Sequence, residues 1–108
     1  MTVTSLGRLN VITPGTPVPI STDPTARAAK IYFQVLPGLT GKGYIGKKGM
    51  VRASLTNVIR VLWPNPTGGI CDSFFLESKQ DADVLNLSEY YVDMDVAGEG
   101  LLISYWTE

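Results

Sequence analysis

Gly41-Lys42-Gly43-Tyr44-Ile45-Gly46 spells G-x-G-x-x-G, the spacing with which a glycine-rich turn cradles a dinucleotide pyrophosphate. That chemistry needs a parallel strand before the motif, a helix after it and an acid about 20 residues on. Here Lys47-Lys48-Gly49 follows, and the first acid beyond is Asp72, so the segment reads as a glycine-rich β-turn. Asp93-x-Asp95 with Glu99 opens like a calcium loop. An EF-hand, however, wants an oxygen ligand where Ala97 stands and a bidentate Glu where Ser104 stands. The pair therefore reads as two solvated aspartates on the outer face of a strand.

Lys42, Lys47, Lys48 and Arg52, with Tyr44 among them, form the densest basic patch of the chain. Cations beside an aromatic ring are how single nucleic-acid strands are gripped. A net charge of −1 and a pI near 5.3 lack the basic footprint of such a protein, so nucleic acid is not an expected partner. The five residues read as a solvated loop or as a surface that docks on acidic protein. Trp63-Pro64-Asn65-Pro66 offers a platform for sugar, but a Trp that ends a strand before a proline turn reads first as a core plug. Cys71 reads as a small packed hydrophobe.

One cysteine and no histidine exclude an internal disulfide, cysteine- or histidine-built metal sites, Ser–His triads and Cys–His pairs. Nothing in the sequence positions two of the ten acids as an acid–base pair. Neither an enzymatic activity nor a cofactor is expected. No apolar run approaches the roughly 18 residues of a membrane span, and the N-terminus is not built as a signal peptide. The chain is expected to be soluble and made in a cytoplasm, as one domain over 1–108.

Charge is sorted along the chain. Residues 1–60 carry eight basic side chains against Asp23 alone, a net of +7. Residues 61–108 carry nine acids against Lys79 alone, a net of −8. Such a chain pairs basic strands with acidic ones internally, or shows opposite fields to copies of itself or to a charged partner.

Turn signals at Pro14-Gly15, Asp23-Pro24, Pro37-Gly38, 41–49, 64–69 and 97–100 separate runs rich in Val, Ile, Tyr and Phe. Short strands at such spacing predict a sandwich or barrel. In 29–36, Ile31, Phe33 and Val35 share one face. In 57–63, Ile59, Val61 and Trp63 lie opposite Val58, Arg60 and Leu62. In 90–96, Tyr90, Val92, Met94 and Val96 lie opposite Tyr91, Asp93 and Asp95. Strands 89–96 and 101–106 are predicted to pair as a hairpin through Ala97-Gly98-Glu99-Gly100, whose glycines supply positive φ. With 3–12, 16–21, 43–46 and 70–77 the count reaches about eight. The predicted fold is therefore all-β, an antiparallel β-sandwich with a jelly-roll-like arrangement. Segment 78–88 is expected to be loop with at most a short helical turn. Residues 1–12 are expected to be an edge strand, or else an arm exchanged with a neighbouring copy.

Two stretches, AKIYFQVLPGLTGKGYIGKKGM (29–50) and LNLSEYYVDMDVAGEGLLISYW (85–106), resemble small virion structural proteins of tailed bacteriophages. The resemblance lies in turn and strand patterns: a P-G-x-T-G turn, a Tyr-x-Gly strand, an acidic Tyr-containing strand and an A-G-E-G turn. It is greatest to capsid decoration (cement) proteins. It implies a jelly roll or sandwich on the outer shell, with the major capsid protein and other copies of itself, as a trimer, for partners. It also implies a place on the virion surface and no catalytic residues. A neck, tail or fibre component of the virion and a carbohydrate-binding β-sandwich module are the alternatives.

Overall fold

A computed structural model describes residues 2–65, 71–78 and 83–107. Among them lie ten strands: β1 Thr2–Asn10, β2 Val18–Pro19, β3 Arg27–Ala28, β4 Lys30–Val35, β5 Gly43–Val51, β6 Thr56–Leu62, β7 Ser73–Glu77, β8 Leu85–Asn86, β9 Tyr90–Met94 and β10 Gly100–Thr107. Among the described residues a single 3-10 turn, Leu87–Glu89, precedes β9, and there is no α-helix.

The strands form one sheet in the order β1-β10-β4-β7, a second in the order β2-β9-β5-β6, and a two-stranded ribbon of β3 with β8. Every pairing is antiparallel. The first strand pairs with the last, the second with the second-last, and so inward to β5 with β6. One long hairpin thus rolls up so that alternate layers fall into opposite sheets. This is the connectivity of a jelly roll.

Alternation decides which face each strand buries. Ile31, Phe33 and Val35 of β4, Leu101 and Ile103 of β10, Val92 and Met94 of β9, and Leu62 of β6 meet between the sheets, all essentially without exposure. Each such side chain contributes about 1.5–3 kcal/mol by leaving water. Pro19 cannot donate to a ladder, and it sits in β2 at a sheet edge, where that loss is tolerated. Cys71 is half-buried and packs against the core.

Several expectations need correction. Strands 89–96 and 101–106 do not form a hairpin: β9 and β10 lie in different sheets. Their apolar faces oppose each other across the core, so the connection at 95–99 arches over the end of the sandwich. Trp63 is no core plug; it is 62% exposed, while Leu62 beside it fills the core. In β6 the inward face is therefore that of Val58 and Leu62, with Ile59 exposed on the other. Strand 43–46 continues to Val51, and strand 16–21 shrinks to two ladder residues. Part of the expected strand 70–77 and of the segment 78–88 lies outside the described residues. β1 is an edge strand, bulged between Ser5 and Gly7, and pairs with β10 of its own chain.

Candidate interaction surfaces

The β5–β6 hairpin does not extend into solvent as a basic loop. Register shifts after Ile45 and Gly46, with left-handed backbone at Gly49, Leu55 and Asn57, curl its tip back over the outer face of its own sheet. Met50 is buried there outside the main core, against Gly46. A Cβ on Gly46 would lie 2.5 Å from the Asn57 carbonyl oxygen, so only glycine permits this approach.

The curled tip carries Arg52 to two carboxylates. Its Nη1 donates to Asp95 Oδ1 at 2.8 Å, and its Nε lies 3.8 Å from Asp93 Oδ2. Asp93 is not solvated; it is 0% exposed, held by the backbone N–H groups of Gly15 (3.1 Å) and Met94 (2.8 Å). A buried carboxylate costs several kcal/mol unless such donors and a counter-charge surround it. Tyr44 donates its hydroxyl proton to Asp95 at 3.1 Å. Burial raises the Tyr44 phenol above its ordinary value of 10.0, and the Asp95 carboxylate adds to the rise. One arginine and two acids thereby lock β9, the hairpin tip and the loop around Gly15 together. The sorting of charge along the chain is in part the sequence trace of this internal pairing.

The basic patch read from the sequence is thus divided. Tyr44 and Arg52 belong to the internal network. Lys42 sets its Nζ 4.7 Å from the centre of the Trp63 ring. Lys47 lies 3.8 Å from Glu89 and 5.6 Å from the centre of the Tyr90 ring. Lys48 is exposed and, with Lys47, Asn57 and Glu89, lines a shallow depression of about 390 Å³. At the opposite end, Glu99 accepts from Thr40 N, Thr40 Oγ1 and Gly41 N at 3.0–3.1 Å. The arches β4–β5 and β9–β10 are tied side by side by that one carboxylate. The G-x-G-x-x-G segment is the second half of this arch running into β5.

The outer face of the β1-β10-β4-β7 sheet is where sequence reasoning missed most. Cross-strand register places three rows on it. Glu77, Lys30, Trp106 and Val3 form one row; Phe75, Tyr32, Ser104 and Ser5 form the next. Ser73, Gln34, Leu102 and Arg8 form the third. Tyr32, Phe75 and Trp106 pack ring against ring, with centroids 4.6, 5.5 and 6.3 Å apart. Interplanar angles of 47°, 48° and 89° keep the rings from forming the flat platform on which sugar rings stack. Phe75 is 50% and Val3 59% exposed, so the cluster is open to solvent. The signal was present in the sequence. Ser-Phe-Phe-Leu-Glu and Leu-Leu-Ile-Ser-Tyr-Trp are apolar on both faces, as strands covered on both sides are.

A second apolar row lies on the other sheet, where Ile59 and half-buried Val61 of edge strand β6 and Trp63 just beyond its end alternate on the outer side. Exposed Val51 and Leu55 of the hairpin tip add to the apolar surface of this part of the chain. On the inner side of the same strand, Arg60 lies 5.4 Å from the centre of the Phe74 ring and 3.7 Å from Asp72, closing the flank of the sandwich. Among the described residues no three His, Cys, Asp or Glu side chains gather as a metal would require. Nor is any helix among them long and apolar enough to cross a membrane. Comparison of the chain with protein families, with curated proteins and with solved structures finds no match.

Proposed function

We propose that this chain is a non-enzymatic structural protein that fastens protein to protein, as a decoration (cement) protein on the outer shell of a phage capsid. The observation that carries the reading is a pair of exposed apolar surfaces on the two outward sides of one sandwich. One is the aromatic face of Phe75, Tyr32 and Trp106; the other is the β6 row of Ile59, Val61 and Trp63. The molecule is only 20 Å across in its smallest dimension, so two partners gripped on these sides are drawn into one assembly. A fastener needs two such surfaces and no cleft. The resemblance of 29–50 and 85–106 to virion structural proteins supplies the setting: the major capsid protein is the partner, and the particle surface the location.

Titrating purified protein onto undecorated shells tests the reading. Saturation at a stoichiometry that follows the number of capsid subunits supports it. Saturation at the copy number of a single ring favours a neck or tail element, and no binding rejects both. Reversing Lys47 and Lys48 to Glu is expected to lower occupancy, and more so at low salt, where surface charges reach further. Arg52 is left intact in this test, because it holds the fold. The exposure of Trp63 favours a second reading, a carbohydrate-binding module. Quenching of Trp63 fluorescence by glycans, lost in Trp63→Ala, would select it.

A further inference from the structure

We propose that the outer face of the β1-β10-β4-β7 sheet is the seat of a second copy of this chain, in a two-fold dimer; the inference refines the fastening role by assigning one of its two surfaces. Three features of the face select that occupant. Its middle, Tyr32 and Ser104, is uncharged, and the aromatic cluster of Tyr32, Phe75 and Trp106, in mutual contact and part-exposed, spreads from there to the β7 edge and the first row. A face with no charge at its middle meets itself without burying like charges there. Its charged residues stand near the border: Glu77 and Arg8 at diagonally opposite corners, with Lys30 beside Glu77 at 3.5 Å. Arg8 makes no ion pair with another described residue; its guanidinium bonds only to Asn10 Oδ1 and the Gly98 carbonyl.

The third feature is the shape of the grid. From β7 to β1 there are three strand spacings, about 14 Å, and from the first row to the third four residues, about 13 Å. The grid is nearly square. A two-fold axis lying in the plane of the face, along the Val3–Ser73 diagonal, therefore exchanges the other two corners. It sets Glu77 of each copy against Arg8 of the other, twice by symmetry, as an isologous contact requires. The same rotation lays exposed Phe75 near exposed Leu102 of the second copy. Strands of the two sheets then cross near 90°, the orthogonal class of sheet packing. Each copy contributes roughly 500 Å², which places the contact near the lower bound of about 1,000 Å² for a specific interface. A reversible dimer is the consequence, and the β6 side stays free for the shell.

Sedimentation equilibrium of four proteins tests this: wild type, Arg8→Glu, Glu77→Arg and the double reversal. Wild type is expected to dimerise reversibly. Each single reversal makes two like-charge contacts and is expected to weaken the dimer by about tenfold or more. The double reversal restores the pairing and the dimer, and circular dichroism of the single variants checks that each of them folds. A wild type that remains monomeric, a three-fold assembly, single reversals that leave dimerisation unchanged, or a double reversal that fails to restore it would each overturn the proposal. The same four proteins titrated onto shells separate the two readings. Shell binding without the charge-swap pattern removes the dimer alone, and the charge-swap pattern without shell binding removes the capsid role alone.

Discussion

Replacing Arg52 by alanine leaves the Asp93 carboxylate buried without its counter-charge. At 3.8 Å from Asp93 Oδ2, the guanidinium contributes about 4 kcal/mol at an effective dielectric of about 20. The charge-assisted bond to Asp95 at 2.8 Å contributes about 1.5–3 kcal/mol more in a dry setting. Arg52 and Asp95 keep 27% and 29% of their side-chain surface, so solvent screens part of both terms. Returning the guanidinium to water on unfolding offsets part of the rest. The net loss is expected to be about 3 kcal/mol, a large share of the roughly 5–15 kcal/mol that holds a domain of this size. In urea denaturation the midpoint should fall by roughly 2 M with the slope unchanged, and the melting temperature by about 10–20 °C. Asp93→Asn on the Arg52→Ala background removes the stranded charge and should restore part of the loss, giving a coupling of about 1–3 kcal/mol. A loss below about 0.5 kcal/mol, or two effects that simply add, would refute the assignment of this network as a lock on the fold.

Three further outcomes are expected. Tyr44 has a folded-state pKa raised by burial, so its contribution to stability is complete below the unfolded value near 10 and is lost as pH rises through the higher folded value. Ultraviolet titration should show Tyr44 ionising above its ordinary range, a step that Tyr44→Phe should remove. Gly100→Ala would place a Cβ 1.9 Å from the Leu9 carbonyl oxygen, forcing β1 off β10; a loss of about 3 kcal/mol or more, or an insoluble product, is expected from urea curves and expression. Glu99→Ala leaves Thr40 and Gly41 amides without their acceptor, and about 1–2 kcal/mol with faster amide exchange at those two positions is expected.

Strand positions and the core faces of most strands were legible because side-chain alternation is written in the sequence. Ile31, Phe33 and Val35, then Val92 and Met94, announced their burial by spacing alone. Pairing was not legible in the same way. Period two says which side of a strand is apolar, but not whether the next strand lies beside it or across the core. Ala97-Gly98-Glu99-Gly100 suits either geometry, and the arch won because Glu99 ties it to Thr40 and Gly41 and because both apolar faces are needed inside. The basic patch failed for a related reason. Lys42, Lys47, Lys48 and Arg52 are neighbours in sequence, but the bends at Gly46 and Gly49 turn Arg52 inward to Asp93 and Asp95, acids some forty residues away. At Trp63 and Leu62 two large apolar residues in succession left the inward one undecided until the register with β5 and β9 chose Leu62.

The pairing of first strand with last has a consequence for biosynthesis. Among the described residues β10 is the only ladder partner of β1, so during translation β1 waits until β10, about ninety residues further along, has left the ribosome. The innermost hairpin, β5 with β6, closes a loop of a few residues, and each successive layer must close a longer one. Ribosomes bearing nascent chains would therefore display an unzipped β1, and the outermost layer is the last to be sealed.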